Sequence, residues 1–270
     1  MMEILTDKVQ IPNQDLLISA YLAQPQLQDQ EQANAIVVVQ EIFGVNEHIQ
    51  DVTRRFAEQG YIAIAPAIYQ RQAPDFTAGY TPEDVKIGRV YKNQTKAEEL
   101  LGDIQATIDY LYKLPQVKKT GVGAIGFCFG GHVTYLTATL ADIKVTASFY
   151  GAGIANWCPG NENKATIEYT KDIKGKIHCF FGLEDASIPV EQVEQIESQL
   201  QTQKIDYQID RYANAGHGFF CDRRQSYHQP SWRLSPSQRR PGPKRWPTRW
   251  PMAMRLSPLW DICWPLLLLW

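Results

Sequence analysis

Short apolar runs alternate with amphipathic stretches along most of the chain. The first 22 residues switch between polar and apolar positions around Pro12-Asn13, which predicts an antiparallel hairpin at a sheet edge. Residues 35–39 (AIVVV) form a continuous, β-branched run, as a strand covered on both faces requires. Residues 61–65, 122–127, 145–150, 177–181 and 207–212 supply further strands. Helical spacing recurs between them. Ile49, Val52 and Phe56 share one face within residues 46–59, and Gly60 ends that segment. Leu100, Ile104, Ile108 and Leu111 do the same within residues 96–112, and helices are also expected over residues 131–140 and 191–203. Residues 70–83 are polar, contain prolines, and read as a long loop or lid. Such alternation places the chain in the α/β class, with a mostly parallel sheet covered by helices on both faces. One domain accounts for residues 1–224.

From residue 225 the composition changes. Residues 225–270 hold six of the seven tryptophans, eight prolines and seven basic residues against one acid, Asp261. Prolines at that density forbid a long helix or a central strand. A basic, Trp-rich tail could bind RNA or a membrane surface. The composition suits neither a core nor a disordered segment, however, which favours a C-terminus translated out of frame. The tail is expected to be irregular.

Composition narrows the function. The hydrophobic fraction is 44% and the formal net charge is −2, so nothing draws the whole molecule toward nucleic acid or an anionic membrane. No apolar run reaches the roughly 20 residues of a bilayer span, and the N-terminus lacks a secretory pattern. Five cysteines without a C-x-x-C pair argue against a disulfide framework or a zinc site and suit a reducing, cytoplasmic compartment.

Chemistry concentrates at Gly126-Phe127-Cys128-Phe129-Gly130-Gly131, between a predicted strand and a predicted helix. This is the G-x-nucleophile-x-G elbow with cysteine where serine is usual. The glycines let strand and helix approach closely, and the helix N-terminus favours negative charge on the sulfur. The backbone N–H of Phe129 becomes an oxyanion donor. The overlapping G-x-G-x-x-G at residues 121–126 leads into the strand instead of opening a helix, so it is no dinucleotide site. An acid and a histidine must follow in that order. Asp185 stands after the run IHCFF, and His217 stands in a Gly-flanked loop after YQIDRY. His48, His132, His178 and His228 are weaker candidates. The second oxyanion donor is expected in the loop after AIVVV, which begins Gln40-Glu41-Ile42.

QEIFGVN, GFCFGG, GLEDASIP and AGHGF, with YQRQAP at residues 69–74, together resemble the dienelactone hydrolases (carboxymethylenebutenolidases). The resemblance spans about residue 10 to residue 220. It implies an α/β-hydrolase fold, a monomer without metal or organic cofactor, and a Cys128–His217–Asp185 triad. It implies that Glu41 contacts the resting thiol until substrate displaces it, and that the Ile42 N–H is the second oxyanion donor. Well-studied members hold the substrate carboxylate with two arginines. At the first of those positions, shortly after the histidine, this chain has Cys221, with Arg223 next but one. At the second it has Val85, with Lys86 and Arg89 nearby. Arg89 and Arg223 are therefore the candidate substrate-binding residues, and the resemblance carries the reaction class further than it carries dienelactone as the substrate. The expected function is hydrolysis of a small-molecule ester or lactone. A broad-specificity carboxylesterase, or an inactive binding protein with a basic tail, are the alternatives.

Overall fold

The computed structural model describes residues 3–161 and 163–228. The tail expected from residue 225 lies outside the described residues beyond His228. Eight strands form one sheet: β1 (Ile4–Asn13), β2 (Leu16–Pro25), β3 (Ala33–Val39), β4 (Ile62–Pro66), β5 (Val117–Phe127), β6 (Ile143–Phe149), β7 (Lys176–Gly182) and β8 (Tyr207–Tyr212). Their order is β1-β2-β4-β3-β5-β6-β7-β8. Strand β2 is antiparallel to both of its neighbours, and every other pairing from β4 to β8 is parallel. The expected edge hairpin is present, although the chain reverses at Gln14-Asp15, just after Pro12-Asn13.

Alternate residues of the buried strands serve opposite faces, as a pleated strand requires. Ile36 and Val38 join Ile49, Val52 and Phe56 of α1 (Glu47–Glu58) in one apolar cluster. Val37 and Val39 join Leu100, Ile104, Ile108 and Leu111 of α3 (Ala97–Lys113) in the other. The predicted stripes are thus the buried faces. Helix α4 (Phe129–Thr137) follows β5, and α5 (Val190–Thr202) precedes β8. Helix α2 (Pro82–Asn93) was not expected: the polar lid covers only residues 67–81 before Thr81 caps a helix. This architecture is the α/β-hydrolase fold.

The crossovers set the position of the site. From β3 the chain moves outward to β4, then returns to place β5 on the other side of β3. The carboxyl ends of β3 and β5 are therefore neighbours at a switch point, where open α/β sheets form their ligand crevice. Val39 pairs with Gly126 at that end, so Glu41 and Cys128 emerge side by side.

Candidate active site

Cys128 joins β5 to α4 with φ 56° and ψ −118°. A non-glycine residue there stores about 1–3 kcal/mol of backbone strain, tolerated where surroundings over-determine the conformation. The glycines supply that constraint. A Cβ on Gly126 would stand 2.1 Å from the Gly130 carbonyl oxygen, and one on Gly130 would stand 2.3 Å from that of Val39. Strand, helix and the end of β3 thus touch backbone to backbone. The Cys128 N–H donates to the Phe149 carbonyl at 3.0 Å, fixing the elbow to β6 as well.

His217 and Asp185 arrive from loops after β8 and β7. His217 Nε2 lies 3.1 Å from Cys128 Sγ, and Nδ1 lies 2.7 Å from Asp185 Oδ2. Asp185 Oδ1 accepts from the Ser187 N–H at 2.8 Å, which holds the carboxylate toward the ring. Burial opposes charge on His217. The Cys128 sulfur and the hydrogen bond to Asp185 outweigh it and raise the imidazole pKa from 6.5 to about 10. The imidazole thereby contacts the sulfur on one side and the carboxylate on the other, and the three residues follow the chain order of an α/β-hydrolase triad.

Glu41 is fully buried, and its Oε1 takes a hydrogen bond from Arg224 Nη1 at 3.3 Å. The thiol's partner is His217, so the Glu41–thiol contact that the resemblance implies is not the arrangement here. Ile42 and Phe129 both line the cleft at Cys128. Lid and helix fix this loop: a Cβ on Gly44 would lie 1.9 Å from the Phe76 carbonyl oxygen, and one on Gly88 of α2 would lie 2.4 Å from that of Ile42.

Around the sulfur the cleft measures about 360 Å³, a small-molecule size. Arg89 is among its lining residues, as expected, but Arg223 is not. The Arg223 side chain is 61% exposed and its closest ion partner is Asp222 at 4.0 Å. Arg224 takes its place, because Cys221 N–H bonds back to Gly218 and Arg224 N–H to Cys221, turning residue 224 inward. Two further groups escaped the sequence reading: Lys92, and Trp157 beneath it with Nζ 4.2 Å from the ring centre. Burial lowers the Lys92 pKa, and Arg89 adds to that. The other histidines are occupied elsewhere. His132 bonds the Ala152 carbonyl and Thr166, His178 pairs with Asp210, and His48 faces Asp222. Among the described residues no cluster of three His, Cys, Asp or Glu could hold a metal, and no helix is long and apolar enough to cross a membrane.

Residues 18–235 match the model of the dienelactone hydrolase family. The chain belongs to that family. A Synechocystis sp. protein named as a carboxymethylenebutenolidase is 54% identical over 226 residues, covering 84% of this chain and 91% of the relative. A similarly named protein of Escherichia coli K12 is 33% identical over 227 residues, covering 82% of this chain and 80% of its own. A solved structure described as a dienelactone hydrolase of Klebsiella pneumoniae superposes with TM-score 0.76 at 31% identity, covering 85% of this chain and 93% of that one. This dienelactone hydrolase family member is accordingly an ester or lactone hydrolase. Its cationic cleft wall is built from Arg89, Lys92 and Arg224, and Cys221 stays buried behind it.

Proposed function

We propose that this enzyme hydrolyses small anionic esters or lactones through a Cys128 thiolate, with His217 as acid and base and Asp185 as its orienting partner. The observation that carries the reading is the 3.1 Å approach of His217 Nε2 to Cys128 Sγ, with Asp185 at 2.7 Å behind the ring. In the first half-reaction sulfur attacks the acyl carbon and a C–S bond forms. Charge moves to the carbonyl oxygen, where the N–H groups of Ile42 and Phe129 receive it. Collapse breaks the C–O bond, and the leaving alkoxide takes the proton from His217 Nε2. Water then attacks the thioester, gives a proton to His217, and the C–S bond breaks to release the acid. Arg89, Lys92 and Arg224 favour a substrate carrying a carboxylate, held more by charge than by one prescribed arginine fork.

In this reading residues 1–224 carry the catalytic unit, acting as a monomer without metal or organic cofactor in a reducing cytoplasm, where a partly exposed Cys128 stays reduced. Iodoacetamide, followed by peptide mass analysis, tests the centre of it. Cys128 should alkylate at least tenfold faster than Cys158 or Cys179, and His217→Ala should abolish that advantage. Equal, slow labelling of all three would overturn the thiolate assignment. Hydrolysis of p-nitrophenyl acetate with no preference for carboxylate-bearing lactones would point to a broad carboxylesterase instead.

A further inference from the structure

Tyr80 stands near the end of the lid, and the backbone ahead of it is laced to the loop after β3. Gly44 and Thr77 form an antiparallel bridge, and the Ala78 N–H donates to the Phe43 carbonyl at 2.9 Å. The Phe43 and Tyr80 rings meet edge to face there, with centroids 4.8 Å apart. The Tyr80 hydroxyl joins further segments. It accepts from Asn46 Nδ2 at 3.3 Å and from the Cys221 thiol at 3.3 Å. Asn46 in turn caps α1 by accepting the Ile49 N–H at 3.3 Å, and it donates to the Ala78 carbonyl at 3.1 Å. One side chain thus ties the lid to the start of α1 and to the loop after His217.

The guanidinium of Arg224 lies over both rings, 5.6 Å from the Tyr80 centroid and 5.7 Å from that of Phe43. Either separation is within reach of a cation–π attraction. A Cβ on Gly218 would stand 2.5 Å from Arg224 Nη1, so bare backbone next to His217 makes room for the charge. Among the described residues Glu41 is the one carboxylate in ion-pair range, at 3.3 Å. A guanidinium has five N–H donors, and this one lines the cleft with its side chain 20% exposed, which leaves donors for a ligand.

We propose that Tyr80 is a positioning residue: its ring, with that of Phe43, holds the Arg224 guanidinium toward the cleft, where it selects carboxylate-bearing esters over neutral ones. A long side chain loses rotamer freedom when it grips a ligand. One already stacked on two fixed rings has lost that freedom in advance, so more of the attraction appears as affinity. Lys92 sits on Trp157 instead and keeps part of the preference when Tyr80 is changed. This rests on the reading of the substrate as anionic.

The test is steady-state hydrolysis by the full chain of mono-p-nitrophenyl adipate against p-nitrophenyl hexanoate, which share leaving group and acyl length and differ in charge. Tyr80→Met, which fills space without a ring face, should raise KM for the adipyl ester about tenfold. Its kcat on that ester, and both constants on the hexanoyl ester, should stay within about twofold of wild type. Tyr80→Leu should repeat the result, and Tyr80→Phe, which keeps the ring, should stay within about threefold on both esters. In an Arg224→Gln background Tyr80→Met should change either KM less than about twofold, because no guanidinium remains to place. Equal losses on the two esters, an unchanged adipyl KM, or the same tenfold rise in both backgrounds overturns the positioning role while the anionic-substrate reading stands. Wild type with no higher kcat/KM on the adipyl ester than on the hexanoyl ester overturns both.

Discussion

Gly126 illustrates how narrowly the elbow tolerates atoms. A methyl group there meets the Gly130 carbonyl oxygen and Thr134 Oγ1, each at 2.1 Å, and neither belongs to a flexible side-chain end. Gly126→Ala should destabilise the fold by about 3 kcal/mol and remove activity even where the protein remains folded, read by urea unfolding and ester hydrolysis in parallel. His217 predicts a pH signature. Burial lowers its pKa, but the sulfur and Asp185 outweigh that and raise it to about 10, so the imidazolium, the acid for a poor leaving group in the proposed mechanism, persists to that pH. Hydrolysis of an alkyl ester should fall above about pH 10, whereas alkylation of Cys128, which needs no acid, should not fall there. Cys128, Asp185 and His217 were legible in the sequence because scarce residue types sat beside glycines in a fixed order. Arg224 was not, because only the successive turns after Gly218 decide which of two adjacent arginines faces inward.

Helix α2 marks where periodicity failed as a guide. Only Gly88 is buried along it, while Ile87 and Val90 face outward, so no apolar stripe exists to read. The remaining signal was the Thr81-Pro82-Glu83-Asp84 cap. Thr81 Oγ1 accepts from the Asp84 N–H at 3.2 Å, and Asp84 Oδ2 accepts from the Thr81 N–H at 2.9 Å. Gly88 then rests on the Ile42 carbonyl. Gly88→Ala should therefore lift α2 from the Ile42 loop and, if Ile42 N–H is an oxyanion donor as proposed, cut kcat about tenfold, with a thermal midpoint within a few degrees of wild type. An unchanged kcat would show that α2 does not set the Ile42 position. By contrast, α1 and α3 were legible because their stripes are their buried faces.

At the scale of the molecule, strand alternation sufficed to give the parallel sheet, while the order of strands in space required the structure. The buried His132 and His48, with the partly exposed His217, shape its response to pH. His132, lowered from 6.5 to about 4 by burial, stays neutral, so the stability it supports is complete above pH 6.5 and is lost as pH falls toward 4. For His48 burial lowers the pKa, but Asp222 and Cys221 overcome it and raise the value to about 9. Its contribution is complete below pH 6.5 and declines as pH rises toward 9, and His217 adds to the same side. Stability should peak near pH 6.5 and fall on either side. Urea unfolding across pH would show His132→Gln flattening the acid limb and His48→Gln the alkaline one. A final consequence lies in the ladder that joins Val39 to Gly126. Because the loop of Glu41 and Ile42 and the elbow of Cys128 ride on two laced neighbours, warming cannot drift them apart by degrees. Initial rate and far-ultraviolet ellipticity should hold together on heating and collapse in one event, with no window in which the enzyme is folded but idle.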